Sequence, residues 1–354
     1  MPRMAWVRAL DFTSDNGSGI APEILQAIIQ ANQGYAASYG GDEITQGLER
    51  RFSDIFERDV EVFPVVTGTA ANALALGGLT PPFGAVFCYD EAHVHVDECG
   101  APEMFTGGAK LIGVGGDQGK IAPDRFYDAL GALHTGDPHY VQPAAVTITQ
   151  LTEAGTLYRG QEIDRLVEIA RSRKLWVHMD GARFANAVAA LGCTPAEASW
   201  KAGIDVLSFG ATKNGALAAE AVVFFNPDLA RDFPYRRKRA GHLISKMRFV
   251  SAQLEAYLAD DLWLGLAARA NRMAARLARG LASIPDVRLI FPVEGNELFV
   301  SLPKGRIEGL RKAGAKFHDW PGPAGGAGRQ VIRLVASFCT EEGDVDRFLA
   351  ILGS

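Results

Sequence analysis

Residues 144–180, AAVTITQLTEAGTLYRGQEIDRLVEIARSRKLWVHMD, contain two short apolar runs on either side of a helical pattern. The runs AAVTITQ and LWVHMD have the length and apolar content of buried strands, while EIDRLVEIARSR repeats its apolar residues at helical spacing. Two strands joined by a helix form a βαβ unit, in which the strands lie parallel in one sheet. This segment therefore predicts a parallel sheet covered by helices.

The same alternation extends along the chain in both directions. Upstream lie the runs VEVFPVV, AVFCYD and KLIGVGG with helical patterns between them, and downstream lies DVLSFG after the pattern FANAVAAL. The next run, AVVFF, follows DVLSFG too closely for a crossover helix, so we expect these two strands to be antiparallel. The predicted fold class is α/β, with a mostly parallel sheet in a large domain.

The composition changes near residue 235, where the basic cluster YRRKRAGHLISKMRF leads into a long helical pattern rich in alanine and leucine. Helices and short strand patterns follow it, which is typical of a smaller α+β domain. We expect an N-terminal arm over residues 1–20, a large domain over 21–240 and a small C-terminal domain over 241–354.

Composition and charge argue against several classes of protein. The chain of 354 residues carries a formal net charge of -5, which gives no basic field for a nucleic-acid partner. Its apolar runs are shorter than the about 18 to 20 residues of a membrane helix, and no secretory signal pattern is recognised. The four cysteines have no CxxC spacing, so we expect reduced thiols, no metal centre and a cytoplasmic protein.

Residues able to do chemistry follow several of the predicted strands. The segment TGTAAN follows the first strand, and His93, Asp180 and Lys213 each follow a later one. Ligands of open α/β sheets bind at the carboxyl ends of the strands, so we expect these residues at one edge. TGTAAN begins a helix and offers backbone N–H groups to an anion, although its small residues could equally serve tight packing.

Asp180 and Lys213 support a more specific hypothesis when they are taken together. Asp180 alone could be a helix N-cap, and as a buried carboxylate it needs a cationic partner, for which Arg183 is a candidate. Lys213 alone could be a surface residue, but a desolvated lysine amine can form a Schiff base. A lysine for an aldehyde, an aspartate for a pyridine nitrogen and a helix N-terminus for a phosphate are the parts of a pyridoxal 5'-phosphate site.

Several segments of the chain, in order from the N-terminal arm to residue 337, resemble one enzyme family. They are DFTSDN, SYGGDEITQGLE, TGTAAN, DEAHVHVDECG, HMDGARFANA, SFGATKNG and VIRLVAS. In these segments the chain is similar to the low-specificity L-threonine aldolases, in the β-eliminating lyase branch of the fold-type I pyridoxal phosphate enzymes. The resemblance implies retro-aldol cleavage of L-threonine, L-allo-threonine and related β-hydroxy-α-amino acids to glycine and an aldehyde.

The resemblance also implies an assembly and individual residue roles. The assembly would be a homodimer or homotetramer with active sites at the dimer interface. The cofactor would be bound by Lys213 at its aldehyde, Asp180 at its pyridine nitrogen, His93 at its ring face, Gly68 and Thr69 at its phosphate, and also by Arg183. The substrate carboxylate would be bound by Ser14, Arg183 and Arg333. Tyr39, from a neighbouring subunit, would lie near the scissile bond, and Lys213, His93 and Tyr39 would be the catalytic residues.

Several of these assignments compete with purely structural explanations. His93 beside His95 could be a surface or capping residue. Tyr39 could serve packing in a glycine-rich loop, and Ser14 could be a turn residue. Arg333 is less easily explained by structure alone, because an arginine inside the apolar strand VIRLVAS needs a partner for its charge.

The chain departs from the family at two places. Many relatives carry a histidine in a segment ENTH after the central strand, whereas this chain has TQLTEAGT with Thr152 near that position. The general base is therefore open between Glu153, His93 and a phosphate-bound water. The arginine that usually reaches the phosphate from the partner chain is also displaced, and the candidates are Arg237, His242 and Lys246.

Two alternatives to threonine cleavage stand beside it. Another reaction on the same cofactor, such as phenylserine cleavage, β-elimination or transamination, would use the same anchoring residues. A non-catalytic α/β binding protein would keep only the fold.

Overall fold

The computed structural model describes residues 10–322 and 326–353. The first nine residues of the predicted N-terminal arm and part of the loop PGPAGGAG lie outside the described residues. In the described chain, no helix combines the length and apolar character needed to cross a membrane.

The strands are β1 (Leu10–Asp11), β2 (Glu61–Val65), β3 (Gly84–Tyr89), β4 (Lys110–Val114), β5 (Gly116–Asp117), β6 (Lys120–Ile121), β7 (Gln142–Thr149), β8 (Trp176–Gly181), β9 (Val206–Gly210), β10 (Glu220–Phe224), β11 (Arg288–Leu289), β12 (Glu297–Pro303), β13 (Ala315–Lys316), β14 (His318–Trp320) and β15 (Arg329–Val335). The helices are α1 (Pro22–Ala31), α2 (Glu43–Phe56), α3 (Gly68–Leu79), α4 (His93–Val96), α5 (Ala101–Thr106), α6 (Pro123–Gly131), α7 (Gly160–Ser172), α8 (Phe184–Leu191), α9 (Phe233–Arg239), α10 (Arg248–Leu258), α11 (Leu262–Ala282), α12 (Lys304–Lys312) and α13 (Glu342–Gly353).

The large sheet has the strand order β2-β10-β9-β8-β7-β3-β4. Strands β4, β3, β7, β8 and β9 run parallel, whereas β10 is antiparallel to both of its neighbours, β9 and β2. The predicted mostly parallel sheet and the predicted antiparallel pairing of AVVFF with DVLSFG are both confirmed. A short segment containing the 3₁₀ helix Thr212–Asn214 connects β9 to β10.

Strand register brings the predicted site segments to one edge of this sheet. Thr149 pairs with Asp180, and Asp180 pairs with Ser208, near the carboxyl ends of β7, β8 and β9. The turn after β9 carries Lys213, and β2 ends just before the segment that begins α3. The acidic, basic and anion-binding segments therefore meet at the same edge.

Apolar cores lie on both faces of the large sheet. In β3, Val86 and Cys88 belong to one core and Phe87 to another, as expected when successive side chains point to opposite faces. Helix α7 contributes its buried residues Ile163 and Leu166 to the core that contains Phe87. Helix α3 is buried on nearly all sides, so its N-terminus forms a fixed edge of the site.

A second, smaller sheet has the order β11-β12-β15-β14, and all of its pairings are antiparallel. Residues of α11, α12 and α13, including Leu277, Ile307 and Phe348, share a separate apolar core with it. Helix α10 instead contributes Val250 and Leu254 to the core of the large sheet. The limits 1–20, 21–240 and 241–354 stand as our proposal for the arm and the two domains.

The described end of the N-terminal arm joins the C-terminal part of the chain. β1 pairs in parallel with β13, and the N–H of Phe12 donates to the carbonyl of Lys316 at 2.9 Å. The ring of Phe12 is 1% exposed and lies 5.2 Å from the ring of Phe348, measured between centroids. The arm is therefore part of the C-terminal core.

Candidate active site

A cavity of about 450 Å³ lies at the carboxyl edge of the large sheet. Its wall comes from the start of α3, the end of β8, the turn after β9 and the start of α4. The structure brings together at this cavity seven of the residues singled out from the sequence, namely Gly68, Thr69, His93, Glu153, Asp180, Arg183 and Lys213.

Helix α3 begins at this cavity with an uncrowded first turn. The side chain of Thr67 caps the helix by accepting a hydrogen bond from the N–H of Ala70 at 3.2 Å. A Cβ on Gly68 would have no heavy-atom neighbour within 4 Å. An open helix N-terminus offers backbone N–H groups and the positive end of the helix dipole, which is the arrangement that binds phosphate.

Lys213 lies in a turn that is held in place by the side chain of the next residue, Asn214. The side chain of Asn214 donates hydrogen bonds to Tyr257 Oη at 2.8 Å and to the carbonyl of Trp263 at 2.9 Å. Gly215 has a φ of +113°, a conformation that side-chain-bearing residues rarely adopt. The backbone at Lys213 is therefore held in place, and Lys213 lines the cavity.

Asp180 is 3% exposed, and no cationic side chain of the described residues forms an ion pair with it. Its carboxylate accepts hydrogen bonds from Asn72 Nδ2 at 2.8 Å and from the N–H of Ala182 at 3.0 Å. A buried carboxylate with neutral donors alone retains an uncompensated charge. This environment suits a cationic ligand atom such as a protonated pyridine nitrogen.

His93 begins α4, and its ring is held by a buried carboxyl group. His93 Nδ1 and Glu98 Oε1 are 2.8 Å apart, and this hydrogen bond is the main cause that raises the pKa of His93. Burial raises the pKa of Glu98, which also accepts a hydrogen bond from Asn72 Nδ2 at 2.9 Å. Because Asn72 contacts both carboxyl groups, it links the His93–Glu98 pair to Asp180.

Arg183 does not pair with Asp180, and the hypothesis that it does is corrected by the structure. Its guanidinium donates to both oxygens of Asp15, at 2.7 and 3.0 Å, and its Nη2 lies 3.1 Å from Glu297 Oε1. Burial acts to raise the pKa of Asp15, but Arg183, together with Lys213 and Asn296, outweighs it and the pKa is lowered. Two nearer carboxylates therefore bind this arginine.

Removing the charge of Arg183 should strongly destabilise the fold. Arg183→Met leaves Asp15 and Glu297 buried without a cation, so we expect the free energy of unfolding to fall by about 3 to 5 kcal/mol. Chemical denaturation measures this change. Arg276→Met, which removes a half-exposed arginine paired with Asp346 and Glu342 at the surface, should leave the midpoint nearly unchanged. Equal shifts in the two variants would contradict the prediction.

Three of the predicted residues lie outside the first cavity. Ser14 caps the 3₁₀ helix Asp15–Gly17 and accepts a hydrogen bond from the N–H of Asn16 at 3.2 Å. Tyr39 is 50% exposed, and the ammonium group of Lys238 lies 4.3 Å from its ring centroid. Arg333 lines an adjoining cavity of about 640 Å³, where its guanidinium lies 5.1 Å from the ring centroid of Trp320.

The three candidates for a phosphate contact across subunits differ in their surroundings. Arg237 is buried and donates to the carbonyl of Pro64 at 3.3 Å, and burial lowers its pKa to about 10. His242 Nδ1 accepts a hydrogen bond from the N–H of Val66 at 3.4 Å, next to the cavity. Lys246 is exposed. Their roles toward a partner subunit stay a prediction.

The polar residues of the cavity that were missed from the sequence include Asn72, Glu98 and Glu220. Asn72 is the last residue of TGTAAN, so a signal for it was available. Glu98 lies five residues after His93, a spacing that becomes informative only when the turn after α4 is known. Glu220 pairs with Gly210 in the sheet, and burial raises its pKa to about 7.

Unpaired polar atoms around the cavity fit a bound cofactor. Within residues 10–322 and 326–353, Asn72 Oδ1, Glu98 Oε2 and Glu153 Oε2 are buried without a hydrogen-bond partner. Buried polar atoms ordinarily have partners, so these atoms indicate a polar ligand. A lysine amine, a buried carboxylate and an open helix N-terminus complement the aldehyde, the pyridine nitrogen and the phosphate of pyridoxal phosphate.

The fold and this site together define an α/β enzyme of fold-type I, the pyridoxal phosphate-dependent class. Comparison with known proteins narrows the class. The model of the family described as beta-eliminating lyase matches residues 11–303. The chain is 49% identical over 314 residues to a low specificity L-threonine aldolase from Pseudomonas aeruginosa, covering 89% of this chain and 90% of that protein.

A second low specificity L-threonine aldolase, from a Pseudomonas species, is 47% identical over 339 residues and 96% of each chain. Among solved structures, a Leishmania major threonine aldolase superposes with a TM-score of 0.90 at 29% identity, covering 97% of this chain and 98% of that one. The chain belongs to the beta-eliminating lyase family, in the group of low-specificity L-threonine aldolases.

Proposed function

We propose that this protein cleaves L-threonine, L-allo-threonine and related L-β-hydroxy-α-amino acids to glycine and an aldehyde. The observation that carries the proposal is that Lys213, Asp180 and the N-terminus of α3 line one cavity. The names of the relatives support the same reaction.

The cofactor contacts in this proposal follow the geometry of the cavity. Lys213 Nζ binds the aldehyde of pyridoxal 5'-phosphate, Asp180 holds its pyridine nitrogen protonated, and the first turn of α3, with Gly68 and Thr69, binds its phosphate. The bound cofactor supplies an electron sink for the electron pair of the Cα–Cβ bond. The surrounding fixed charges accelerate the reaction to the extent that they stabilise the transition state more than the substrate.

The substrate contacts use arginines from both cavities. Arg183 is already oriented by Asp15 and Glu297, so it offers the substrate carboxylate a fixed guanidinium. Arg333 approaches from the adjoining cavity. Ser14 assists in binding the carboxylate, His93 covers the ring face, and Tyr39 reaches the site of a neighbouring subunit.

Product analysis tests the proposal directly. Purified protein with pyridoxal phosphate and L-threonine should release glycine and acetaldehyde in equal amounts. Pyruvate and ammonia would indicate β-elimination, and transfer of the amino group to a 2-oxo acid would indicate transamination. Cleavage of phenylserine without cleavage of threonine would indicate a phenylserine aldolase. Protein that stays colourless after incubation with the cofactor would be a binding protein, and the proposal would be refuted.

The proposed assembly is a homodimer or homotetramer, and the proposed location is the cytoplasm. Helix α1 carries the exposed apolar side chains of Leu25 and Ile29, and Tyr35 follows it fully exposed, which is a surface suited to a second copy. The described cysteines form no disulfides, as is usual in a reducing compartment. A mass near 38.0 kDa by light scattering would contradict the assembly.

A further inference from the structure

Glu153 lies where the two cavities meet. It lines the first cavity together with Lys213 and Asp180, and the second cavity together with Arg333 and Trp320. In the proposed function the first cavity binds the cofactor, and Arg333 binds the substrate carboxylate. An amino acid held between these two anchors therefore borders the side chain of Glu153.

The two oxygens of Glu153 have different surroundings. Oε1 accepts hydrogen bonds from the N–H of His93 at 2.9 Å and from Thr149 Oγ1 at 2.8 Å. Oε2 is buried and has no hydrogen-bond partner in the part of the chain that the structure describes. Burial raises the pKa of Glu153 to about 7, although the hydrogen bonds from His93 and Thr149 act to lower it. Near neutral pH this carboxyl group can both accept and release a proton.

The loop that carries Glu153 is braced by Gln150. The side chain of Gln150 donates to the carbonyl of Tyr158 at 2.9 Å and accepts from the N–H of Tyr158 at 3.0 Å. Gln150 itself is fully buried. A reactive group on a braced loop does not have to be ordered when the substrate binds, which lowers the barrier to reaction.

Thr152, near the position where many relatives carry histidine, is part of the same bracing. Its hydroxyl lies 2.7 Å from the hydroxyl of Thr156, and Thr156 Oγ1 donates to the carbonyl of Gln118 at 2.6 Å. Thr152 is fully buried and has no group that titrates near neutral pH. Its role is structural, and the adjacent Glu153 is the titratable side chain of this loop.

We propose that Glu153 Oε2 accepts the proton of the substrate β-hydroxyl group. This inference rests on the proposed function and names the base that it leaves open. As the proton moves to Oε2, the electrons of the O–H bond form the second bond of the aldehyde carbonyl. The Cα–Cβ bond breaks, and its electron pair stays with Cα. Lys213 Nζ, free once the substrate amine has replaced it at the cofactor aldehyde, then delivers a proton to Cα to give glycine. Exchange with solvent removes the proton from Glu153 Oε2 and returns one to Lys213 Nζ, so the reaction needs no oxidant, reductant or further reactant.

His93 is the competing base, and its surroundings favour it less. The Nδ1 atom of its ring is engaged with Glu98, whereas Glu153 Oε2 has no hydrogen-bond partner in the described residues. A general base needs a free acceptor atom within reach of the hydroxyl group.

The kinetic test compares Glu153→Gln with Glu168→Gln, which changes an exposed glutamate of α7. Glutamine can still accept the hydrogen bonds from His93 and Thr149, but it cannot take a proton. We expect kcat for L-threonine to fall by at least about 100-fold in Glu153→Gln with little change in KM. Glu168→Gln should keep the wild-type values. Exchange of the glycine α-hydrogen in D₂O should continue at the wild-type rate in both variants, because glycine has no β-hydroxyl group.

A second readout is independent of turnover. Because the pKa is raised from 4.5 to about 7, the stability that the protonated Glu153 contributes is present below pH 4.5 and is lost as the pH rises through 7. Glutamine does not ionise. The free energy of unfolding of full-length Glu153→Gln, relative to wild type, should therefore rise between these pH values and then level off. Glu168→Gln should show no such rise.

Glu153 contributes to raising the pKa of Cys88, Tyr89 and Tyr158, which titrate above the pH range of this test. The other charged or titratable groups around Glu153 are common to the variant and the wild type. They include His93, Glu98, Asp180, Lys213, Glu91, Asp97 and Arg333.

The outcomes separate this inference from the proposed function. Wild-type kcat in Glu153→Gln would overturn the inference. An equal loss of cleavage and of glycine exchange would also overturn it, because Glu153 would then serve binding rather than the hydroxyl proton. A difference in the free energy of unfolding between Glu153→Gln and wild type that does not change with pH would show that the pKa of Glu153 is not raised. That result would also overturn the inference. No glycine from the wild-type protein would instead refute the proposed function.

Discussion

Lys213→Ala should abolish glycine release from L-threonine, with a fall in kcat/KM of at least about 10³-fold. The substitution removes the amine that binds the cofactor covalently and the proposed proton donor to Cα. Purified wild-type protein should show a visible absorption band that borohydride bleaches. The variant should lack the Schiff base and its borohydride-sensitive band. The measurements are the visible spectrum and the rate of glycine formation.

Lys201→Ala is the control for Lys213→Ala. Lys201→Ala removes a partly exposed lysine that pairs with Glu57 on the surface, and it should retain the band and the activity. Because Asn214 still anchors the turn in Lys213→Ala, that variant should still fold to the wild-type structure. A borohydride-sensitive band in Lys213→Ala would show that another amine binds the cofactor.

Asp180→Asn should weaken cofactor retention and lower kcat by at least about 100-fold, a loss typical of removing one preorganised electrostatic group from an active site. The amide keeps the size of the side chain but removes the charge proposed to hold the pyridine nitrogen protonated. Without that proton the ring is a poorer electron sink. The measurements are kcat and the loss of visible absorbance during dialysis.

An exposed aspartate provides the comparison for Asp180. Asp164→Asn, on the outer side of α7, should leave both measurements at wild-type values. If Asp180→Asn also kept its cofactor and its full kcat, Asp180 would act only as the acceptor for Asn72 and Ala182. The proposed cofactor orientation would then be wrong.

Sequence patterns were sufficient for the parts of the site that lie at strand ends. Asp180 and Lys213 each follow an apolar run, and parallel strands bring such positions to one edge. The antiparallel return of β10 also followed from chain length alone, because a short segment cannot hold a crossover helix. These features depend on local pattern and on general rules of topology.

Contacts between distant segments were beyond the sequence. The partner of Arg183 is Asp15, 168 residues away, and nothing in either segment identifies the pair. The sequence offered the nearer Asp180 instead, which proved to accept from Asn72 and the backbone. The place of Glu153 between two cavities likewise depends on how the loop after β7 packs. Contacts between residues so far apart in the sequence depend on tertiary packing. Tertiary packing leaves no periodic pattern in a single sequence from which these pairs could be predicted.

The pairing of β1 with β13 sets an order for folding during synthesis. β1 is made before the other described strands, but it can take its native place only after residues 315 and 316 have been made. Until then Asp15 lacks Asn296, and Phe12 lacks the aromatic ring of Phe348. Contacts of such high sequence separation slow folding, because their loop-closure entropy is lost before they stabilise the chain. A strand that is made early is therefore among the last to reach its native pairing.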